Sequence, residues 1–140
     1  MKWKDILKQE WEIRKCWHQE PCWCRRICTI SGAEVVDGAR ISQDIASYFT
    51  ALHNASLRRS RLNYKKFENI DFYDDDGKLI TKNLMNKKWK VAKCGVPGGN
   101  CPCRVIIAKG GYWVIDAGSL NKRQAKYLAK LHNHFLKEKK

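Results

Sequence analysis

Apolar and polar residues alternate twice in the same way along this chain. "WEIRK" at 11–15 and "WKVAK" at 89–93 switch character at every second position, as a half-buried strand does. A loop follows each, containing Pro21 in the first case and "GVPGGN" at 95–100 in the second. "CRRICTI" at 24–30 and "CRVIIAK" at 103–109 then predict a second strand, and "AEVVD" at 33–37 and "YWVID" at 112–116 a third. Gly32 and the pair Gly110–Gly111 mark the turns between them. The period next changes from two to 3.6. Ile45, Tyr48, Phe49 and Leu52 form one apolar helical stripe, and Ala125, Leu128, Leu131 and Phe135 form another. Ser42 and Asn121 stand where each helix should begin, and both are good N-cap residues.

The two halves are also alike residue by residue. "WEIRKC" matches "WKVAKC", "CWCRRICTISGAEVVDGARI" matches "CPCRVIIAKGGYWVIDAGSL", and "ASYFTALHN" matches "AKYLAKLHN". About 15 identities fall in roughly 43 aligned positions, where chance gives about three, and this marks a duplicated unit. The predicted fold is therefore α+β: a tandem internal repeat of two βββα units, each an antiparallel three-stranded meander plus one helix. A unit of this size is too small to be stable alone, so the expectation is two units packed with pseudo-twofold symmetry around a shared core.

Three segments follow from this reading. Residues 1–58 hold the first repeat with an N-terminal extension. Residues 59–88 form a basic linker and an acidic hairpin. Residues 89–140 hold the second repeat with a basic tail. "SLRRSRLNYKKF" at 56–67 is expected to continue the first helix into the basic stretch. The Asp-Gly pair in "IDFYDDDGKLIT" predicts the hairpin. Asp71, Asp74, Asp75 and Asp76 lack the alternate-position ligands and closing Glu of a calcium loop, so they read as an acidic turn.

Charge narrows the classes of partner. With 28 Lys and Arg against 14 Asp and Glu, the net charge is +14. Such an excess attracts polyanions: nucleic acid, a nucleoprotein or an acidic protein face. No apolar run approaches the roughly 18 residues that span a bilayer, so no membrane partner is expected. The N-terminal stretch lacks the uninterrupted apolar core of a secretory signal, which predicts a cytoplasmic protein.

Seven cysteines are many for a cytosolic chain of 140 residues. Cys16, Cys22 and Cys24 in the first half match Cys94, Cys101 and Cys103 in the second. Residues i and i+2 of a strand face one side, so each Cys-x-Cys aims both sulfurs together, and three thiols converge at one end of each sheet. Zinc is the candidate cofactor for these six ligands. Small buried thiols or a local disulfide are the alternatives. His53 and His132 would complete a Cys3His set, but the helix carries each about 18 Å from its own cysteines. They read more simply as helix C-terminal residues favoured by the dipole.

Binding candidates come from the loops and the basic stretches. Trp17, His18 and Trp23 place three rings in seven residues, suited to stacking on bases or anchoring a protein interface. Arg25 and Arg104 follow each Cys-x-Cys on the opposite strand face. They suit either a phosphate or a structural pair with Asp37 and Asp116. Arg58, Arg59, Arg61, Lys65 and Lys66, with Lys122, Arg123, Lys126, Lys130 and the tail, offer a sequence-independent phosphate grip. As the solvated sides of helices they also need no function. No catalytic triad, P-loop or Rossmann signature is present, so no enzyme is expected.

"YWVIDAGSLNKRQAKYLAKLHN" at 112–133 is similar to small proteins encoded by bacteriophages, in which a strand pair leads into a helix ending in Leu-x-Asn or Leu-His-Asn. That resemblance implies an accessory or anti-defence protein in a host cell, such as an anti-CRISPR-like inhibitor of a nucleic-acid-guided nuclease. The strand-strand-strand-helix order also resembles plant-type APETALA DNA-binding units. The cysteines depart from that pattern, as does the lack of its Arg- and Trp-rich sheet face. The expected function is a non-enzymatic binding protein acting on nucleic acid or a nucleoprotein through a basic surface. Two alternatives are a protein inhibitor using the Trp loop and a nucleotide-sequestering protein using the Gly-rich loop.

Overall fold

The computed structural model describes residues 2–15, 24–36, 41–73, 78–81, 83–93 and 103–138, with the backbone alone at 103, 116–119 and 138. It is a mixed α+β chain of two compact units, Met1–Leu62 and Asn63–Lys140.

The first unit opens with a short helix, α1 (Trp3–Leu7), followed by β1 (Trp11–Lys15), β2 (Arg25–Thr29), β3 (Glu34–Val36) and the long helix α2 (Gln43–Arg58). The strands form an antiparallel sheet in the order β1-β2-β3. Ile27 faces Ile13 and Val36 across the ladders, and a register shift follows at Cys28. At the turn into β3, Gly32 adopts φ 100°, a conformation that side-chain-bearing residues rarely adopt. Ser42 caps α2, its hydroxyl accepting a hydrogen bond from the Ile45 amide at 3.3 Å. The expected stripe Ile45, Tyr48, Phe49 and Leu52 is buried, and α2 packs on β1 and β2. Burial of a side chain such as Leu52 or Phe49 contributes roughly 1.5–3 kcal/mol.

The basic stretch does not continue this helix. α2 stops at Arg58, because Arg59 turns into the left-handed region with φ 53° and ψ 40°. The Ser60 amide then reaches the Ala55 carbonyl at 2.9 Å, and the Arg59 amide reaches that of Ser56. These two bonds are a Schellman ending, with arginine where glycine is usual.

The second unit begins with irregular chain. A 3-10 turn spans Tyr64–Lys66 and another spans Leu84–Asn86. Between them Tyr73 and Leu79 pair as a single antiparallel bridge, and the Ile80 amide donates to the Phe72 carbonyl at 2.9 Å. These are the flanks of the expected hairpin, whose tip at 74–77 lies outside the described residues. Then come β4 (Trp89–Lys93), β5 (Cys103–Ala108), β6 (Tyr112–Asn121) and α3 (Lys122–Glu138). The sheet order is β4-β5-β6, again antiparallel. Asn121 and Gln124 cap α3 reciprocally: the Asn121 side chain accepts from the Gln124 amide at 2.9 Å, and the Gln124 side chain accepts from the Asn121 amide at 3.0 Å. Ala125, Leu128, Leu131 and Phe135 are buried as their spacing predicts, and α3 packs on all three strands.

One group of contacts holds helix to sheet within each unit. In the first, the Trp11 amide donates to the Asn54 side-chain oxygen at 2.9 Å, and the Asn54 side-chain nitrogen donates to the Trp11 carbonyl at 3.1 Å. In the second, Asn133 does the same for Trp89, at 2.8 and 2.9 Å. Each histidine lies flat on that tryptophan: His53 on Trp11 at 3.8 Å between ring centroids, His132 on Trp89 at 3.6 Å. The indole N–H groups are satisfied as well. Trp11 donates to the Ile6 carbonyl at 3.1 Å and Trp89 to that of Leu84 at 3.0 Å. Thus α1 and the turn at Leu84–Asn86 have the same task, presenting a carbonyl five residues before the tryptophan.

Candidate functional site

His53 and His132 are both engaged within their own units. His53 Nε2 donates to the Gln9 carbonyl at 2.6 Å and His132 Nε2 to that of Lys87 at 2.8 Å. Both rings are buried, and burial lowers both pKa values, that of His132 to about 4. A neutral ring gains nothing from a helix C-terminus, so the dipole account of these residues is replaced by the tryptophan stack. His53 also sits at the Trp11 end of β1, whereas Cys24 precedes Arg25, the residue paired with Lys15 at the other end.

Of the six proposed metal ligands, Cys16, Cys22, Cys94 and Cys101 lie outside the described residues, and Cys103 is described by its backbone only. Cys24 is buried. It pairs by an isolated antiparallel bridge with Ser42, the N-cap of α2, just as Cys103 pairs with Asn121 at the start of α3. The second cysteine of each Cys-x-Cys is thus held beside a helix start. Among the described residues, no group of three or more His, Cys, Asp or Glu is placed to hold a metal.

Cys28, the seventh cysteine, is buried beneath a collar of charge. Arg14 and Arg26 face each other across the β1–β2 ladder, and Arg26 Nη1 lies 3.7 Å from the Cys28 sulfur. Burial pushes this thiol up, against the partial opposing pull of Arg26 and Arg14. Arg14 is held in turn by Glu12, through Nε at 2.8 Å.

Trp17, His18 and Trp23 lie outside the described residues. Arg25 donates from Nη1 to the Cys24 carbonyl at 2.8 Å. Its proposed partner Asp37 lies outside the described residues, and the side chain of Asp116, proposed for Arg104, is not described. Arg58 is anchored: its Nε meets Glu10 at 2.6 Å and its Nη2 at 2.5 Å. Arg59 and Arg61 are exposed at the end of the first unit. Lys65 and Lys66 are exposed on the first 3-10 turn of the second, where Lys66 sits 5.8 Å from the Phe67 ring centroid.

The described cations gather most clearly on α3. Lys126, Lys130, His134 and Lys137 succeed one another at four, four and three residues, so they share one helix face. With Val91 of β4 and Asn133 they line a cleft of about 610 Å3. No described carboxylate lines it, and no ion pair among the described residues engages its three lysines. Lys122 and Arg123 extend the charge to the first turn of α3, which holds no acidic residue. Cations at a helix N-terminus oppose the dipole at a cost of roughly 0.3–1 kcal/mol each. Sequence reasoning named Lys126, Lys130 and, within the tail, Lys137, but missed His134 and Asn133 as their neighbours. The four-residue spacing on one amphipathic helix was the available signal.

No described helix is long and apolar enough to cross a membrane. No protein-family model, curated protein or solved structure matches the chain.

Proposed function

We propose that this is a non-enzymatic binding protein that engages nucleic acid or a nucleoprotein through the basic face of α3. The observation that carries the reading is the cleft lined by Lys126, Lys130 and Lys137 with no described carboxylate in it. The three ammonium groups rise along about 16 Å of helix, a length over which a duplex presents several phosphates. Two further cations, Lys122 and Arg123, stand where local electrostatics disfavours them. The likeness of residues 112–133 to small phage proteins makes a host nuclease carrying a guide RNA the first partner to try, and an anti-defence role the corresponding biology.

Fluorescence anisotropy with labelled duplex DNA and RNA across a salt series tests the reading. Salt-sensitive binding that weakens in a K126Q/K130Q/K137Q variant supports it. No binding to either at low salt overturns it.

The same reading takes the two units as copies of one βββα ancestor. Its support is the shared identities and the recurrence of the tryptophan–histidine–asparagine contacts. Replacing residues 46–54 by residues 125–133 tests the equivalence: retained cooperative folding supports it, and an unfolded chain opposes it.

A further inference from the structure

The cleft on α3 has a second component, the free edge of β4. The Lys109 amide donates to the Lys88 carbonyl at 2.9 Å, in register with the Trp89–Ala108 pair. In an antiparallel ladder the hydrogen-bonded pairs alternate. The backbone groups of Lys88, Lys90 and Ala92 therefore turn towards β5, and those of Trp89, Val91 and Lys93 turn outward. β4 is an edge strand among the described residues, and no further described strand of its sheet covers them.

Asn133 takes both outward groups of Trp89, one as acceptor and one as donor. Its side-chain amide thus stands where the backbone of another strand would stand. The next outward pair, the N–H and C=O of Val91, makes no hydrogen bond among the described residues, and Val91 itself lines the lysine cleft. The first unit differs at the far end of its corresponding edge. In that unit Asn54 again takes Trp11, but Arg26 Nε also reaches across and donates to the outward Lys15 carbonyl at 2.8 Å. The residue matching Arg26 in the second unit is Val105, which has no donor to offer. Ile13, the first-unit counterpart of Val91, likewise makes no outward hydrogen bond among the described residues, and what sets Val91 apart is the three lysines beside it.

We propose that β4 accepts an extended acidic segment of a partner protein as an added strand, with its carboxylates towards Lys126, Lys130 and Lys137. Main-chain bonds to Val91 give the affinity, and the lysines select the sequence. Val91 shares a strand face with Trp89, the face covered by α3. A residue paired with Val91 therefore presents its side chain on the lysine side, and so do its neighbours two positions away. Those neighbours recur about every 6.8 Å along a strand, close to the roughly 6 Å rise between Lys126 and Lys130. An alternating acidic pattern fits this face. The proposal rests on reading the cleft as an anion site and adds the backbone edge, whose alternating donor and acceptor match a peptide strand.

The test uses the full chain and three probes: an acetylated, amidated seven-residue peptide alternating Glu and Val, the same peptide with alternate backbone amides N-methylated, and single-stranded DNA. Calorimetry should show binding of the plain peptide, lost at least tenfold on N-methylation and again in K126Q/K130Q/K137Q. Val91→Pro removes the outward N–H at an edge position, where proline is tolerated. It should weaken the peptide at least tenfold while circular dichroism keeps the parent spectrum. Equal binding of the plain and methylated peptides overturns the proposal without requiring any protein variant. Binding of DNA with none of the peptide overturns the added strand and leaves the anion site standing. Binding of no probe overturns both.

Discussion

His132 lies flat against Trp89, ring planes 9° apart, and from that position its Nε2 donates to the carbonyl of Lys87, two residues before the tryptophan. The stack leaves the imidazole neutral and dry. Burial lowers its pKa to about 4 from an ordinary 6.5. As pH falls below 6.5, the unfolded chain takes up a proton that the folded chain refuses. The contribution to stability is complete above pH 6.5, declines from there to about pH 4, and then levels. The full loss is roughly 3 kcal/mol. Urea midpoints measured from pH 7 to pH 4 should fall, and should fall less steeply in His132→Phe, which keeps a ring on Trp89 and cannot titrate. His53 shifts in the same direction and adds to the slope.

Asn133 joins helix to strand through two hydrogen bonds to one residue, Trp89. Asn133→Ala removes both and should destabilise by about 2 kcal/mol. Asn133→Asp keeps the acceptor but turns a carboxylate oxygen towards the Trp89 carbonyl, so it should cost at least as much. Chemical denaturation of the two variants checks the order. A variant as stable as the parent would deny the clasp its role.

Arg59 occupies a left-handed position at the end of α2. Arg59→Gly relieves that backbone and should raise stability by about 0.5–1 kcal/mol, the relief being partly offset by the freer unfolded chain. If the guanidinium contributes to binding, the same variant loses affinity while its melting temperature rises. Thermal melts and a binding isotherm on one preparation separate the two effects.

The lysine cleft makes a quantitative demand on nucleic-acid binding. Each phosphate contact removed should lower the slope of log K against log salt by about 0.9 for a duplex or 0.7 for a single strand. The K126Q/K130Q/K137Q variant should therefore bind with a slope shallower by about two to three. An unchanged slope would place the phosphates elsewhere on the chain.

Much of this fold was legible in the sequence. Strands starting at Trp11 and Trp89 showed in their two-residue period, and both helices showed in their apolar stripes and in Ser42 and Asn121. What the stripes did not show was the use of the conserved-within-the-chain Leu-His-Asn. His53 and Asn54 lie 44 and 43 residues from their partners at Gln9 and Trp11, and no local period reports a contact at that distance. The clue was joint retention: both copies kept the tryptophan together with the histidine and asparagine. The short helix α1 was invisible for a different reason, since five residues are too few to display periodicity. Arg59 ended α2 against expectation because "SLRRSR" contains no glycine or proline to announce a stop. The candidate site was half legible. Its lysines were visible as charge, whereas its open strand edge depends on which backbone groups face outward, and side-chain composition does not encode that.

The asparagine clasp also bears on how the chain is made. Translation produces β1 first, but Asn54, which secures the outer edge of that strand at Trp11, is 43 residues further along. Until it leaves the ribosome, the strand can pair on one side only. The nascent first unit therefore has a long interval in which a bare edge is exposed to other chains, and the second unit passes through the same interval before Asn133 emerges. A pause in synthesis just before either asparagine would be the most hazardous point for aggregation, and early release of the chain there should yield insoluble product.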